Sequence, residues 1–314
     1  MRVFVLAVLF GVTFATSFTC AEKPNVIFIL TDDLGWGDLG CYGHPHIKTP
    51  NLDQLAKRGT LVTQFYVHGA VCSPSRVGFM SGQFPARHRI HGHLASHAQN
   101  EARGMPNWLD PEATLITRML QGAGYATAHY GKWHLGRGEG APDPGAYGLD
   151  DHRTVSTNGP GFEEQVDEYF RAKSTGLFVD EAIRFVEANR DRPFYINLWT
   201  LVPHATLHST EEQMKPYRSF GPNRVPYKGA AQIYYSTVTA MDAELGRLFS
   251  RLDELKLANK TIVLFSSDNG PEDIHIRNAS HSGIGSPGPF RCLLYTSPSP
   301  RDWIWHLVCR LLLE

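Results

Sequence analysis

Asp32 and Asp33 are adjacent carboxylates that follow, after Thr31, on an apolar run at 25–30. Asp268 and Asn269 follow a second apolar run, 261–265, in the same way. Four hard side-chain oxygens converging from two strand ends suit Ca²⁺ or Mg²⁺, not zinc. A single Asp-Asp pair is as readily a helix cap or a solvated turn, so the weight lies in the repetition of the pattern. Between the two pairs stand Cys72 in Ala70-Val71-Cys72-Ser73-Pro74-Ser75-Arg76, Lys132 and His134 in Gly131-Lys132-Trp133-His134, and His204 after Pro203. Arg, Lys and His gathered around a divalent cation would stabilise negative charge developing on a transferred group. Each has a plainer reading: Cys72 as a buried structural thiol, Lys132 and His134 as a solvated strand end.

The elements that must position these residues are legible from periodicity. Short apolar runs at 25–30, 61–66, 125–130, 194–201 and 261–265 read as buried strands. Helical stretches lie between them: one opened by Thr49-Pro50, others at 72–80, 114–123, 176–189 and 234–255. The last has apolar residues at Val238, Met241, Leu245, Leu248 and Leu252, which is helical spacing. The alternation predicts an α/β fold, a mostly parallel sheet with helices on both faces. Its polar clusters recur at strand exits, where open α/β sheets bind ligands. Residues 136–161, rich in Gly, Pro and Asp, are expected to form a long surface loop.

Cys72-Ser73-Pro74-Ser75-Arg76, followed by apolar residues and Gly82, is similar to the signature of the sulfatases, members of the alkaline-phosphatase-like superfamily. The segment 124–136, with Lys132 and His134, resembles their second signature. Ser81, Tyr130 and Thr206 depart from residues usual at their positions. Asp32-Asp33-Leu34-Gly35-Trp36-Gly37-Asp38 with Cys41-Tyr42-Gly43 resembles the branch of arylsulfatases and N-acetylgalactosamine-6-sulfatases. The resemblance covers about 25–291.

The resemblance implies hydrolysis of sulfate esters, on a sulfated carbohydrate or polysaccharide. It implies that a formylglycine-generating enzyme oxidises Cys72 to formylglycine, whose hydrate is the nucleophile. A geminal diol beside a cation loses a proton more easily than a lone hydroxyl, and its second hydroxyl can expel sulfate. Serine could not do this. By the same resemblance Asp32, Asp33, Asp268 and Asn269 hold the cation, Ca²⁺ rather than Mg²⁺, with residue 72 beside it. Arg76 holds the hydroxyl of residue 72 and offsets the anions. Lys132 holds sulfate oxygens, His134 lies beside the formylglycine, and His204 contacts sulfate and protonates the leaving alcohol. Two other readings stay open: a phosphate or phosphonate ester hydrolase of the same superfamily, and a non-catalytic sulfoglycan-binding protein. His91, His93, His97 and His208 are candidates for the substrate rim or for solvated loops.

The chain has 314 residues and a net charge of −1, which gives no electrostatic footprint for nucleic acid or an anionic membrane. One positive charge at Arg2, an apolar stretch at 3–14 and small residues before Glu22 read as a signal peptide over 1–21, so the protein is expected to be exported, periplasmic or extracellular. No other stretch is expected to insert stably in a membrane. With Cys20 in the leader, the cysteines before residue 292 are Cys41, read as structural, and Cys72, too few for a disulfide framework. From Cys292 the string resembles a sequencing adapter translated as protein, and 292–314 is expected to be no domain at all. The catalytic domain is then 22–291. The resemblance implies a further Lys-bearing strand and a smaller C-terminal subdomain beyond Arg291, absent from this sequence.

Overall fold

The structure, a computed structural model, describes residues 22–63, 65, 67–223, 228–273 and 281–289, together with the backbone of 307–310. The expected leader over 1–21 and most of 292–314 lie outside the described residues. The strands are β1 (Asn25–Asp32), β2 (Thr60–Val62), β3 (Ala126–Lys132), β4 (Asp151–Val155), β5 (Phe194–Pro203), β6 (Thr261–Ser267) and β7 (Leu307–Arg310). The helices are α1 (Pro50–Arg58), α2 (Cys72–Ser81), α3 (His97–Ala102), α4 (Ile116–Gly122), α5 (Phe170–Ala188), α6 (Glu211–Met214) and α7 (Ala230–Glu254).

The strands form one sheet in the order β2-β7-β6-β1-β5-β3-β4, and β6, β1, β5, β3 and β4 run parallel. β3 and β5 are buried at every residue, as a parallel strand covered on both faces must be. Successive residues of β1 face opposite cores. Ile27 and Ile29 join Phe178 of α5, Val238 and Leu245 of α7 and Leu52 of α1. Phe28 and Leu30 join Val77 and Met80 of α2, together with Trp133 and Trp199. Helices therefore cover both faces, the mostly parallel α/β architecture that the alternation predicts.

The sheet order places the chemistry. β1 lies between β6 and β5, with Thr31 opposite Ser267 of β6 and Asp32 opposite Pro203 of β5. Their C-terminal ends thus deliver Asp32-Asp33, His204 and Asp268-Asn269 side by side. β3 lies on the far side of β5 and delivers Lys132. Its approach depends on Gly131, at φ +110°, where an added Cβ would collide with the Trp199 carbonyl. The peptide bonds Val202–Pro203 and Ala205–Thr206, on either side of His204, are both cis.

Three expectations change. The stretch 136–161 is not all loop: Asp151–Val155 forms β4, parallel to β3. Its half-exposed polar sequence has no apolar run to betray it, as suits an edge strand. α5 begins at Phe170, six residues before the expected start at Gly176. Gly176 is not a boundary but a contact, where a Cβ would sit 3.2 Å from the Glu244 carboxyl of α7. The strand expected at 61–66 is only Thr60–Val62. Separately from these, Leu307–Arg310 pairs antiparallel with β2 and β6. A sheet edge presents unpaired N–H and C=O groups, and a short apolar run satisfies them.

Candidate active site

Cys72 opens α2, and the spacing of four puts Arg76 on the same face one turn later. The first turn is tied down from both sides. Ser73 Oγ donates to the His134 carbonyl at 2.8 Å and accepts from Leu94 N at 3.0 Å. Ser75 Oγ donates to the Gly69 carbonyl at 2.7 Å.

Arg76 is wholly buried and uses all its nitrogens. Nε and Nη2 donate to Asp268 Oδ2 at 3.1 and 2.8 Å, Nη2 also to Asp32 Oδ1 at 3.2 Å, and Nη1 to the Lys132 carbonyl at 2.9 Å. Its guanidinium lies 5.1 Å from the Trp199 ring centre. Lys132 Nζ donates to both oxygens of Asp32, at 2.7 and 2.6 Å, and to Cys72 Sγ at 3.4 Å. Asp33 N donates to Asp268 Oδ1 at 3.2 Å, and Asn269 Nδ2 to Asp33 Oδ1. Asp32, Asp33 and Cys72 each offer one ligand atom within 4.8 Å of the others.

This donor set fits a hard cation. Asp33 Oδ2 and Asn269 Oδ1 are buried without a hydrogen-bond partner, which costs free energy unless something positive meets them. Three buried carboxylates, Asp32, Asp33 and Asp268, gather around the side chains of Arg76 and Lys132. Burial, then the charges of Asp32 and Asp268, push the Asp33 carboxyl well up. Burial likewise pushes Asp268 up to about 6, with Arg76 opposing. For Asp32 burial is outweighed by Lys132, His204 and Arg76, which hold it far below the usual range. Burial pushes the Cys72 thiol well up, with Lys132 opposing. Asp33 and His134 both hold left-handed backbone, at φ 64° and 54°, a conformation that costs a non-glycine residue about 1–2 kcal/mol.

His134 turns its Nε2 to the Leu94 carbonyl at 3.0 Å and leaves Nδ1 buried without a partner. His204 Nε2 lies 3.7 Å from Asp33 Oδ2, and Nδ1 lies 3.9 Å from Glu272 Oε1. The other histidines separate. Burial holds His93 low, with Arg103 and then Lys132 and His204 adding to the effect. His97 Nε2 is bound to the Arg137 carbonyl at 3.1 Å. His208 stacks on Tyr169 at 4.7 Å. Cys41 and Cys72 are free thiols. Glu272 and Arg171 join this neighbourhood without any sequence signal. Glu272 follows three residues after Asn269, and Arg171 comes from the first turn of α5.

Behind the site, His129 is wholly buried between Trp133 and Trp199, at ring distances of 5.1 and 4.8 Å. Its Nε2 lies 3.2 Å from the Lys132 carbonyl and its Nδ1 has no partner. Burial, reinforced by Arg76, holds its pKa well below 6.5. The unfolded chain therefore takes the proton first. The stabilising difference is present above about pH 6.5 and is lost as pH falls toward the folded value, at up to about 1.4 kcal/mol per pH unit. Urea denaturation at about pH 7.5 and pH 5.5 should show this loss, and His129→Phe should flatten it by about that amount.

A sulfatase family model matches residues 24–288. The chain is 30% identical to N-acetylgalactosamine-6-sulfatase of Canis lupus familiaris and 32% identical to that of Sus scrofa, each over 86% of this chain and 54% of the relative. It is 30% identical to arylsulfatase A of Homo sapiens, over 86% of this chain and 56% of that one. The chain thus spans about half the length of the curated relatives it matches. Among solved structures, Ps i-CgsB, crystallised in complex with k-i-k-neocarrahexaose, superposes with a TM-score of 0.71 at 24% identity, covering 87% of this chain and 62% of the other. The phosphonate monoester hydrolase of Agrobacterium radiobacter superposes at 0.60 and 19% identity, covering 79% and 63%. These two likenesses speak to the fold alone. A family match across most of the chain, together with the relatives' identity, decides the question: the chain belongs to the sulfatase family.

Proposed function

We propose that the protein hydrolyses sulfate esters of a carbohydrate through a formylglycine hydrate made from Cys72. One observation carries the reading. Cys72 Sγ, at the start of α2, lies 3.4 Å from Lys132 Nζ and clusters with the carboxylates of Asp32 and Asp33. A nucleophile there would meet a transferring anion between a fixed ammonium and a cation-binding cradle. The carbohydrate substrate class is supported by the N-acetylgalactosamine-6-sulfatase relatives.

In this reading Asp32, Asp33, Asp268 and Asn269 would hold Ca²⁺, which when bound supplies positive charge opposite the sulfate oxygens. Lys132 binds a sulfate oxygen, its own position fixed by Asp32. Arg76 holds Asp32 and Asp268 in place and offsets their charge. His134, whose carbonyl accepts from Ser73 Oγ in the first turn of α2, would lie beside the modified residue 72, whose hydroxyl Arg76 would hold. His204, whose side chain is 25% exposed, delivers a proton to the leaving alcohol. The catalytic domain is 22–291, and export follows from the leader pattern over 1–21. Among the described residues no helix is long and apolar enough to cross a membrane.

The test is peptide mass spectrometry across Cys72 after co-expression with a formylglycine-generating enzyme, paired with turnover of 4-nitrophenyl sulfate and 4-nitrophenyl phosphate. An aldehyde at position 72 and preference for the sulfate are expected. Preference for the phosphate would move the protein to phosphate or phosphonate hydrolysis. An unmodified thiol, with the modifying enzyme active on a control, would leave a sulfoglycan-binding protein.

A further inference from the structure

We infer that Glu272 is a positioning residue for His204, an inference that rests on the sulfatase reading above. Glu272 is 2% exposed and lies just beyond the β6 exit. Its Oε2 accepts the N–H of Ala205 at 2.9 Å and the hydroxyl of Ser282. Its Oε1 is the oxygen that lies 3.9 Å from His204 Nδ1, while Asp33 Oδ2 stands 3.7 Å from Nε2. The imidazole is therefore bracketed by two buried carboxylates, one toward each ring nitrogen.

The backbone around the ring is clamped as well. Arg171 Nη1 donates to the carbonyls of Leu201 and His204, at 2.9 and 3.3 Å. Nδ1 lies 2.5 Å from the Ala205 carbonyl. Glu272 closes this frame from the segment that follows β6. By fixing the N–H of the residue after His204, it fixes the direction from which the ring enters the site. A proton donor contributes only when it is aimed at the atom it serves, and misplacement by about 1 Å can cost about 100-fold. The aim matters most for a poorly acidic leaving group, such as a sugar hydroxyl. It matters least for a nitrophenolate, which departs without a proton.

The experiment compares Glu272→Ala and Glu272→Gln in the full chain, matured with a formylglycine-generating enzyme, on 4-nitrophenyl sulfate and on a monosaccharide 6-sulfate. Glu272→Ala should lower kcat for the sugar sulfate about 100-fold and for the aryl sulfate about 3-fold, with KM nearly constant. Glu272→Gln, which keeps an acceptor for Ala205 N–H, should recover most of the loss. An equal loss on both substrates, or no loss, overturns the inference and leaves Glu272 a structural brace. If the unaltered chain turns over neither substrate, the sulfatase reading fails, and crystal structures of the two variants decide the positioning. The His204 ring should leave Asp33 in Glu272→Ala and stay in Glu272→Gln. An unmoved ring in both overturns it.

Discussion

Cys72→Ala is expected to lower kcat/KM for an aryl sulfate by about 10⁴-fold or more, the scale on which removal of a covalent nucleophile is felt. The loss should come without unfolding. Cys72 is small and 4% exposed, and its side chain accepts from Lys132 alone among the described residues, so a truncated side chain leaves the Arg76–Asp268–Asp32 network intact. Circular dichroism and a urea midpoint measured beside the kinetics establish that the chain still folds. Cys72→Ser is the sharper companion. A serine hydroxyl can accept sulfate but has no second hydroxyl with which to expel it. The expected trace is a burst of about one product per chain followed by arrest. Full turnover by either variant would remove residue 72 from the chemistry.

Arg76→Ala should destabilise the fold by about 3–5 kcal/mol, read from urea denaturation at neutral pH. Arg76 is 0% exposed and is the partner of two carboxylates that are 0–1% exposed. Removing it strands Asp268 and half of Asp32 in a low-dielectric interior, and also takes one of two partners from the Lys132 carbonyl. Buried pairs gain little net stability when formed, but breaking one leaves an uncompensated charge. Arg76→Lys should recover only a small part, since an ammonium cannot serve Asp268, Asp32 and a carbonyl from one planar fork. If Arg76→Ala is as stable as the unaltered chain, the carboxylates are not charged in the way the geometry implies.

The comparison of sequence with structure follows the range of the interactions. β1, β5 and β6 are legible because a parallel strand covered on both faces is apolar throughout, and the polar residues that follow mark its exit. Asp32, Cys72, Lys132, His204 and Asp268 are visible as candidates because each stands at such an exit or in a signature. β4 is hidden because an edge strand need not be apolar, and the start of α5 is hidden because Gly176 signals a break that helix packing overrides. Glu272 has no local signal. Its role depends on Ala205, 67 residues away, and nothing in Asn-Gly-Pro-Glu distinguishes a buried carboxylate from a turn. The use of the Lys132 carbonyl by both Arg76 and His129 is equally invisible, because backbone acceptors leave no trace in residue type.

The burial of Cys72 sets an order in time. Its surroundings are assembled from contacts that span much of the chain, Arg76 to Asp268 across 192 residues and Lys132 to Cys72 across 60. Pairing of that range forms late, since loop closure must precede it. Once β6 has joined β1, a thiol 4% exposed no longer fits inside another enzyme's active site. Any enzyme that modified Cys72 would therefore race with folding, and the fraction of chains it reached would depend on how long the early segment waits for the last parallel strand.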